Sequence, residues 1–147
     1  MLNLKNLETM GINAPKEHQR IISQLNTGLG NLYYVQGKTT LEPLPKTMID
    51  EGRTSPVPDL LLYDNLLGQT PIIIEICHTT GFKNDQKKVV ELIENADYGI
   101  IEGFIYNYKT QKWWKYVKSE GEISNNASYS TILQCDLNQF LAILGWL

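Results

Sequence analysis

Two apolar runs, each opened by a proline and each carrying one carboxylate, constrain this chain more than any other feature. They are Pro58-Asp59-Leu60-Leu61-Leu62-Tyr63 and Pro71-Ile72-Ile73-Ile74-Glu75-Ile76-Cys77-His78, separated by a short loop, residues 64–70, that contains Gly68. Runs of this length and branched-aliphatic content read as buried strands. A carboxylate inside one is the exception to explain, because an unpaired charge there costs roughly several kcal/mol and therefore neutralises, pairs or binds a metal. Side chains alternate along a strand, so Ile73, Glu75 and Cys77 share one face and Ile74, Ile76 and His78 the other. If the two runs pair antiparallel across the loop, Asp59 and Glu75 project side by side. Two adjacent carboxylates are oxygen donors of the kind that magnesium or manganese takes.

With 147 residues and 42% hydrophobic content, the chain is expected to be one globular domain over 1–147 with a sizeable core. A net charge of −3 of mixed signs argues against a constitutive, tight DNA-binding protein, but less against a nuclease, whose basic residues need only line one groove. No apolar run approaches the ~20 residues that span a bilayer, and no signal-peptide pattern is visible. A soluble, cytoplasmic protein with no membrane partner is the expectation. Cys77 and Cys135 form neither a metal-ligand spacing nor a disulfide framework, and read as reduced core thiols.

Along the chain, residues 1–13 read as an arm, and Asn13-Ala14-Pro15 as a helix start. His18, Ile21, Ile22, Leu25 and Leu29 then recur at helical spacing, with Gly28 and Gly30 as the stop. His18 lies on that apolar stripe, either as a half-buried histidine bonded to backbone or at the edge of a catalytic groove. Residues 31–36 and 39–43 suggest two strands meeting at Gly37-Lys38. Residues 46–56 read as a loop, in which Arg53 is either solvated or a phosphate contact.

A helix is expected from Lys83 or Asn84 to Asn95, because Phe82, Val89, Leu92, Ile93 and Ala96 fall within an arc of roughly 100°. Asp85 points into that arc and Lys88 sits at its margin. Residues 98–108 and 112–118 read as a further strand pair around Lys109-Thr110-Gln111. Its aromatics, Phe104, Tyr106, Tyr108, Trp113, Trp114 and Tyr116, alternate with Lys109, Lys112, Lys115 and Lys118. That pattern suits cross-strand packing with lysines on the solvent side, or a nucleic-acid face. A polar loop over 120–130 leads to a strand near 129–135. Asp136 then caps a closing helix bearing Leu137, Phe140, Leu141 and Leu144, whose apolar surface covers the core or meets a second copy.

The order helix, strands, two carboxylate strands, helix, strand resembles the core of the PD-(D/E)XK nuclease superfamily, with Pro58-Asp59 and Glu75-Ile76-Cys77 in the places of its two motifs. More narrowly, the chain is similar to the Uma-type family of restriction-endonuclease-like proteins. The matching positions are His18, Pro58-Asp59, Glu75-Ile76, Asp85 ten residues after the glutamate, a lysine at Lys87 or Lys88, and Gly99-Ile100-Ile101-Glu102-Gly103-Phe104. The likeness spans about residues 15–144. It departs from the pattern at Cys77, where the superfamily has lysine, and at His78, where the family has serine.

The resemblance implies an α+β, restriction-endonuclease-like fold: a mixed central sheet flanked by helices. It implies a metal-dependent endonuclease acting on DNA, as a homodimer. Asp59, Glu75 and the backbone carbonyl of Ile76 would hold Mg²⁺ or Mn²⁺, and Asp85 and Lys88 would complete the catalytic set. Lys88 would replace the lysine missing at position 77, with Lys83 and Lys87 as weaker substitutes. His18, Cys77 and His78 would stand around the site. The alternative is a nuclease-fold module that has lost catalysis and serves in binding or assembly.

Overall fold

The computed structural model of the protein describes residues 15–52 and 54–141. The expected N-terminal arm, the Asn13-Ala14 cap, Arg53 and Leu144 lie outside the described residues.

Helix α1 (Lys16–Gly30) buries Ile21, Ile22, Leu25 and Leu29 on one stripe, as their spacing predicts. Gly28 is a packing glycine within it, since a Cβ there would come within 2.1 Å of the Phe140 ring. The chain does not turn into a strand after Gly30. Residues Asn31–Val35 continue as a π-helical turn, where the sequence suggests a strand. Asn31 keeps a right-handed helical conformation and its N–H still bonds the carbonyls of Thr27 and Gly28, so continuity with α1 overrides the strand propensity of Leu-Tyr-Tyr-Val. Gly37, at φ +61, ends the helical run in place of the expected hairpin turn.

The sheet is six-stranded in the order β1 to β6: β1 (Leu41–Pro45), β2 (Leu60–Asp64), β3 (Gln69–Cys77), β4 (Glu102–Asn107), β5 (Lys112–Val117) and β6 (Gly121–Ile123). All neighbours are antiparallel except β3 and β4, which run parallel with Ile72 opposite Glu102 and Cys77 opposite Asn107. That parallel pair requires a crossover, supplied by α2 (Phe82–Glu94). The result is the mixed, helix-flanked α+β sheet expected from the sequence.

Each sheet face is covered. On one side Leu60, Leu62, Ile72, Ile74, Ile76, Phe104 and Tyr106 pack under α1 and the closing 3-10 turn Leu137–Phe140. On the other, Leu61, Ile73, Cys77, Ile105 and Trp114 pack under Val89, Leu92 and Ile93 of α2. Helix α2 approaches closely at Gly103, where a Cβ would lie 2.3 Å from Val89.

The lysines of the aromatic hairpin do not all face solvent. Lys115 is buried, 2.7 Å from the carbonyl of Tyr129 and 3.3 Å from Glu102 Oε2. Glu102 also accepts bonds from Ser130 Oγ and the Thr131 N–H, so both of its carboxylate oxygens have partners and the buried charge is compensated. Lys115 sits opposite Phe104 on a face that the short hairpin of β7 (Tyr129–Ser130) and β8 (Cys135–Asp136) covers. That hairpin replaces the single strand expected over 129–135. Trp113 packs on Tyr106 with ring centroids 4.9 Å apart, and donates to Asn138 Oδ1 at 3.0 Å, so cross-strand packing accounts for these aromatics. Among the described residues, no helix is long and apolar enough to cross a membrane.

Candidate active site

The β2–β3 pairing places Leu60 opposite Ile74 and Leu61 opposite Ile73. One step further along the same register, Asp59 meets Glu75. The Asp59 N–H donates to Glu75 Oε1 at 3.3 Å, and the Ile76 N–H donates to Asp59 Oδ2 at 2.8 Å. Each strand's backbone therefore steadies the carboxylate of the other. Glu75 shares the α2-facing side with Ile73 and Cys77, and Lys88 reaches it from α2, with Nζ 3.3 Å from Oε1. Of the three candidate lysines, Lys83 and Lys87 are exposed and only Lys88 contacts a site carboxylate.

Asp59 gathers two more partners. His18 of α1 places Nε2 3.3 Å from Asp59 Oδ2, while its Nδ1 lies 3.0 Å from Gln19 Oε1. Lys46 places Nζ 2.6 Å from Asp59 Oδ1. Lys46 was not legible as a site residue, because the sequence places it in a loop. It is one residue past β1, whose Pro45 pairs with Leu60, and that register is the signal which locates it beside Asp59.

The two carboxylates experience different environments. Burial works to raise Asp59, but hydrogen bonds from His18, Lys46 and the Ile76 N–H overcome it and hold the group at about 2. Glu75 is pushed up to about 7, by burial first and by the Asp59 charge second, with Lys88 only partly offsetting them. His18 is raised chiefly by its bond to Asp59. Asp85, in the first turn of α2, is raised by burial and lowered by Lys88, and it feels Asp59 and both histidines. It therefore belongs to the same electrostatic cluster. Burial and the charges of Asp85, Asp59 and Glu75 push the Cys77 thiol to about 12, so this residue stays neutral.

His78 serves the local backbone, its Nδ1 accepting from the Thr80 N–H at 3.2 Å to cap the turn Thr79–Gly81. Tyr108, which the sequence places only among the hairpin aromatics, lies edge-on to both His18 and His78 at 6.3 Å between centroids. Among the described residues, no three His, Cys, Asp or Glu side chains gather into a metal-holding group. Any cation here would rest on two carboxylates and main-chain oxygen, a sparse set that suits Mg²⁺, which keeps several waters and completes its shell with substrate phosphate.

No family model and no curated protein matches this sequence. Among solved structures, the chain is similar to a crystal structure described as "a putative nuclease belonging to DUF820" from Anabaena variabilis. That likeness has a TM-score of 0.64 at 14% identity, over 89% of this chain and 83% of the other. At this identity it shows the fold. A cryo-EM structure of a DrdV–DNA complex aligns at a TM-score of 0.42 and 13% identity, over 88% of this chain but 13% of that one.

Proposed function

We propose that this chain is a metal-dependent endonuclease hydrolysing DNA phosphodiester bonds, and the observation that carries this reading is the placing of Asp59 and Glu75 opposite each other with Lys88 against Glu75. A buried carboxylate raised to about 7 by burial and by its carboxylate neighbour marks a site short of positive charge. Asp59, Glu75 and the carbonyl of Ile76 would hold Mg²⁺ or Mn²⁺. Such an ion polarises a phosphate and lowers the pKa of a bound water.

The chain's own groups do the rest. The Ile76 N–H and His18 fix the orientation of Asp59. Lys88 stands where its ammonium can meet charge developing on the phosphate, the task Cys77 cannot perform. Asp85 lies within electrostatic reach of Lys88 and offsets part of its charge. Hydrolysis in this reading displaces the 3′ oxygen in line and leaves a 5′-phosphate. Two copies related by a twofold axis would cut both strands. The second reading, a degenerate module serving in assembly, is favoured by the neutral thiol at Cys77 and by the protein partners that both Asp59 oxygens already have.

Incubation of purified protein with supercoiled plasmid, with and without Mg²⁺ or Mn²⁺ and beside Asp59→Ala, separates the two. Metal-dependent nicking by the parent, absent from the variant, is the expected result. No nicking by the parent, or equal nicking by both, would overturn the catalytic reading.

A further inference from the structure

The three donors on Asp59 are not equivalent. The Ile76 N–H is fixed in β3, and His18 is held on α1 with its side chain 17% exposed. Both bind Oδ2. Among the described residues Oδ1 is taken by Lys46 alone, through an ammonium on a flexible stem whose side chain is 51% exposed. The Lys46 backbone, by contrast, is anchored. Its N–H donates to the Asp59 carbonyl at 3.1 Å, and it sits at φ +51, a left-handed conformation that a non-glycine residue keeps only where the surroundings impose it. The backbone cannot withdraw from Asp59, whereas the side chain can leave by rotamer change alone.

We infer that Lys46 is a positioning residue that occupies the cation position of the metal-free protein, holding Asp59 Oδ1 until a divalent cation displaces it. The inference rests on the metal site proposed above and assigns it a built-in competitor. The Lys46 ammonium is 2.6 Å from Oδ1, so a divalent ion bound to that oxygen would stand within a few ångströms of it, and like charges that close repel in a partly buried site. Uptake of metal therefore expels the lysine, and its ammonium moves to the solvent side, where an arriving phosphate backbone would meet it. His18 stays in place, since it uses the other oxygen.

The test is calorimetric titration of the full chain with Mn²⁺ at pH 8, without DNA, on the parent, K46M, K46Q, K46R and D59A. Met and Gln at position 46 carry the same left-handed backbone cost as Lys, so they remove the ammonium and little else. Two such variants are used so that poor folding of one does not end the test. K46M and K46Q are expected to bind Mn²⁺ roughly threefold to fivefold more tightly than the parent, the scale of a released, half-exposed ion pair. K46R should behave as the parent, and D59A should lose binding. Melting temperatures without metal should fall in K46M and K46Q, and Mn²⁺ should restore them by more than it raises the parent's. If D59A loses binding but K46M and K46Q bind no more tightly than the parent, Lys46 is only a structural contact and the metal site stands. If neither the parent nor K46M takes up Mn²⁺, or if D59A binds as the parent does, the metal site itself is overturned and Lys46 with it.

Discussion

Replacing Glu75 with glutamine is expected to raise the melting temperature at pH 8 and to abolish metal-dependent cleavage. Glu75 has its pKa raised from the ordinary carboxylate range to about 7 by burial and by Asp59. Below about pH 4.5 the folded and unfolded chains both hold the proton, and the residue costs nothing. Between that value and pH 7 the unfolded chain releases its proton while the folded chain retains it, so stability falls as pH rises. Above pH 7 the folded protein carries the charge and the full cost. The glutamine amide still accepts from the Asp59 N–H and from Lys88 but never ionises, so its advantage should be near zero at pH 4.5 and level off above pH 7. A gain of about 2 kcal/mol, or about 5 °C in a domain of this size, is the expected scale. Cleavage should meanwhile fall by more than about a hundredfold, since even outer partners of metal ligands are worth about that much. Thermal melts across pH 4.5–8.5 beside plasmid assays check both halves. A variant no more stable than the parent at pH 8 would mean that Glu75 is not held under electrostatic cost.

Lys88→Met is expected to lower the cleavage rate by about 10²–10³, the loss typical of one preorganised charge at a developing anion, while leaving divalent-metal affinity no weaker. Lys88 Nζ is 3.3 Å from Glu75 Oε1, Cys77 is a neutral thiol beside it, and Lys83 and Lys87 are exposed. No other lysine of α2 reaches the carboxylates. Single-turnover cleavage at saturating Mn²⁺ measures the effect. A drop of only a few-fold would transfer the role to Lys46, and a parallel collapse of metal binding would make Lys88 a scaffold for Glu75.

The carboxylate pair was legible because its two signals reinforce each other. Two branched-aliphatic runs joined by a short loop have few ways to pair, and period-two alternation then fixes which side chains meet. The directions of Asp85 and Lys88 on α2 followed from helical periodicity, which is strongest where one face of a helix lies on a sheet, and their candidacy from the family resemblance. The failures have equally local causes. Residues Asn31–Val35 carry strand-forming side chains but inherit the helical path of α1, so tertiary continuity outweighs propensity. Lys46 was hidden because the first strand lies at Leu41–Pro45 and not at 39–43, and a shift of two residues is enough to read a strand-end lysine as loop. Lys115 was placed toward solvent on the premise that one face of the hairpin is wet. The Tyr129–Ser130 hairpin covers that face, and alternation cannot tell inside from outside on a sheet buried on both sides.

The proposed function requires Asp59 and Glu75 to hold one shared divalent cation. Anomalous diffraction from crystals grown with Mn²⁺ tests it most directly. One peak is predicted, about 2.1 Å from a carboxylate oxygen of each residue and from the Ile76 carbonyl, with the Lys46 ammonium displaced from Asp59. No peak between these two carboxylates under conditions that support cleavage, or a peak confined to other acidic residues, would contradict it.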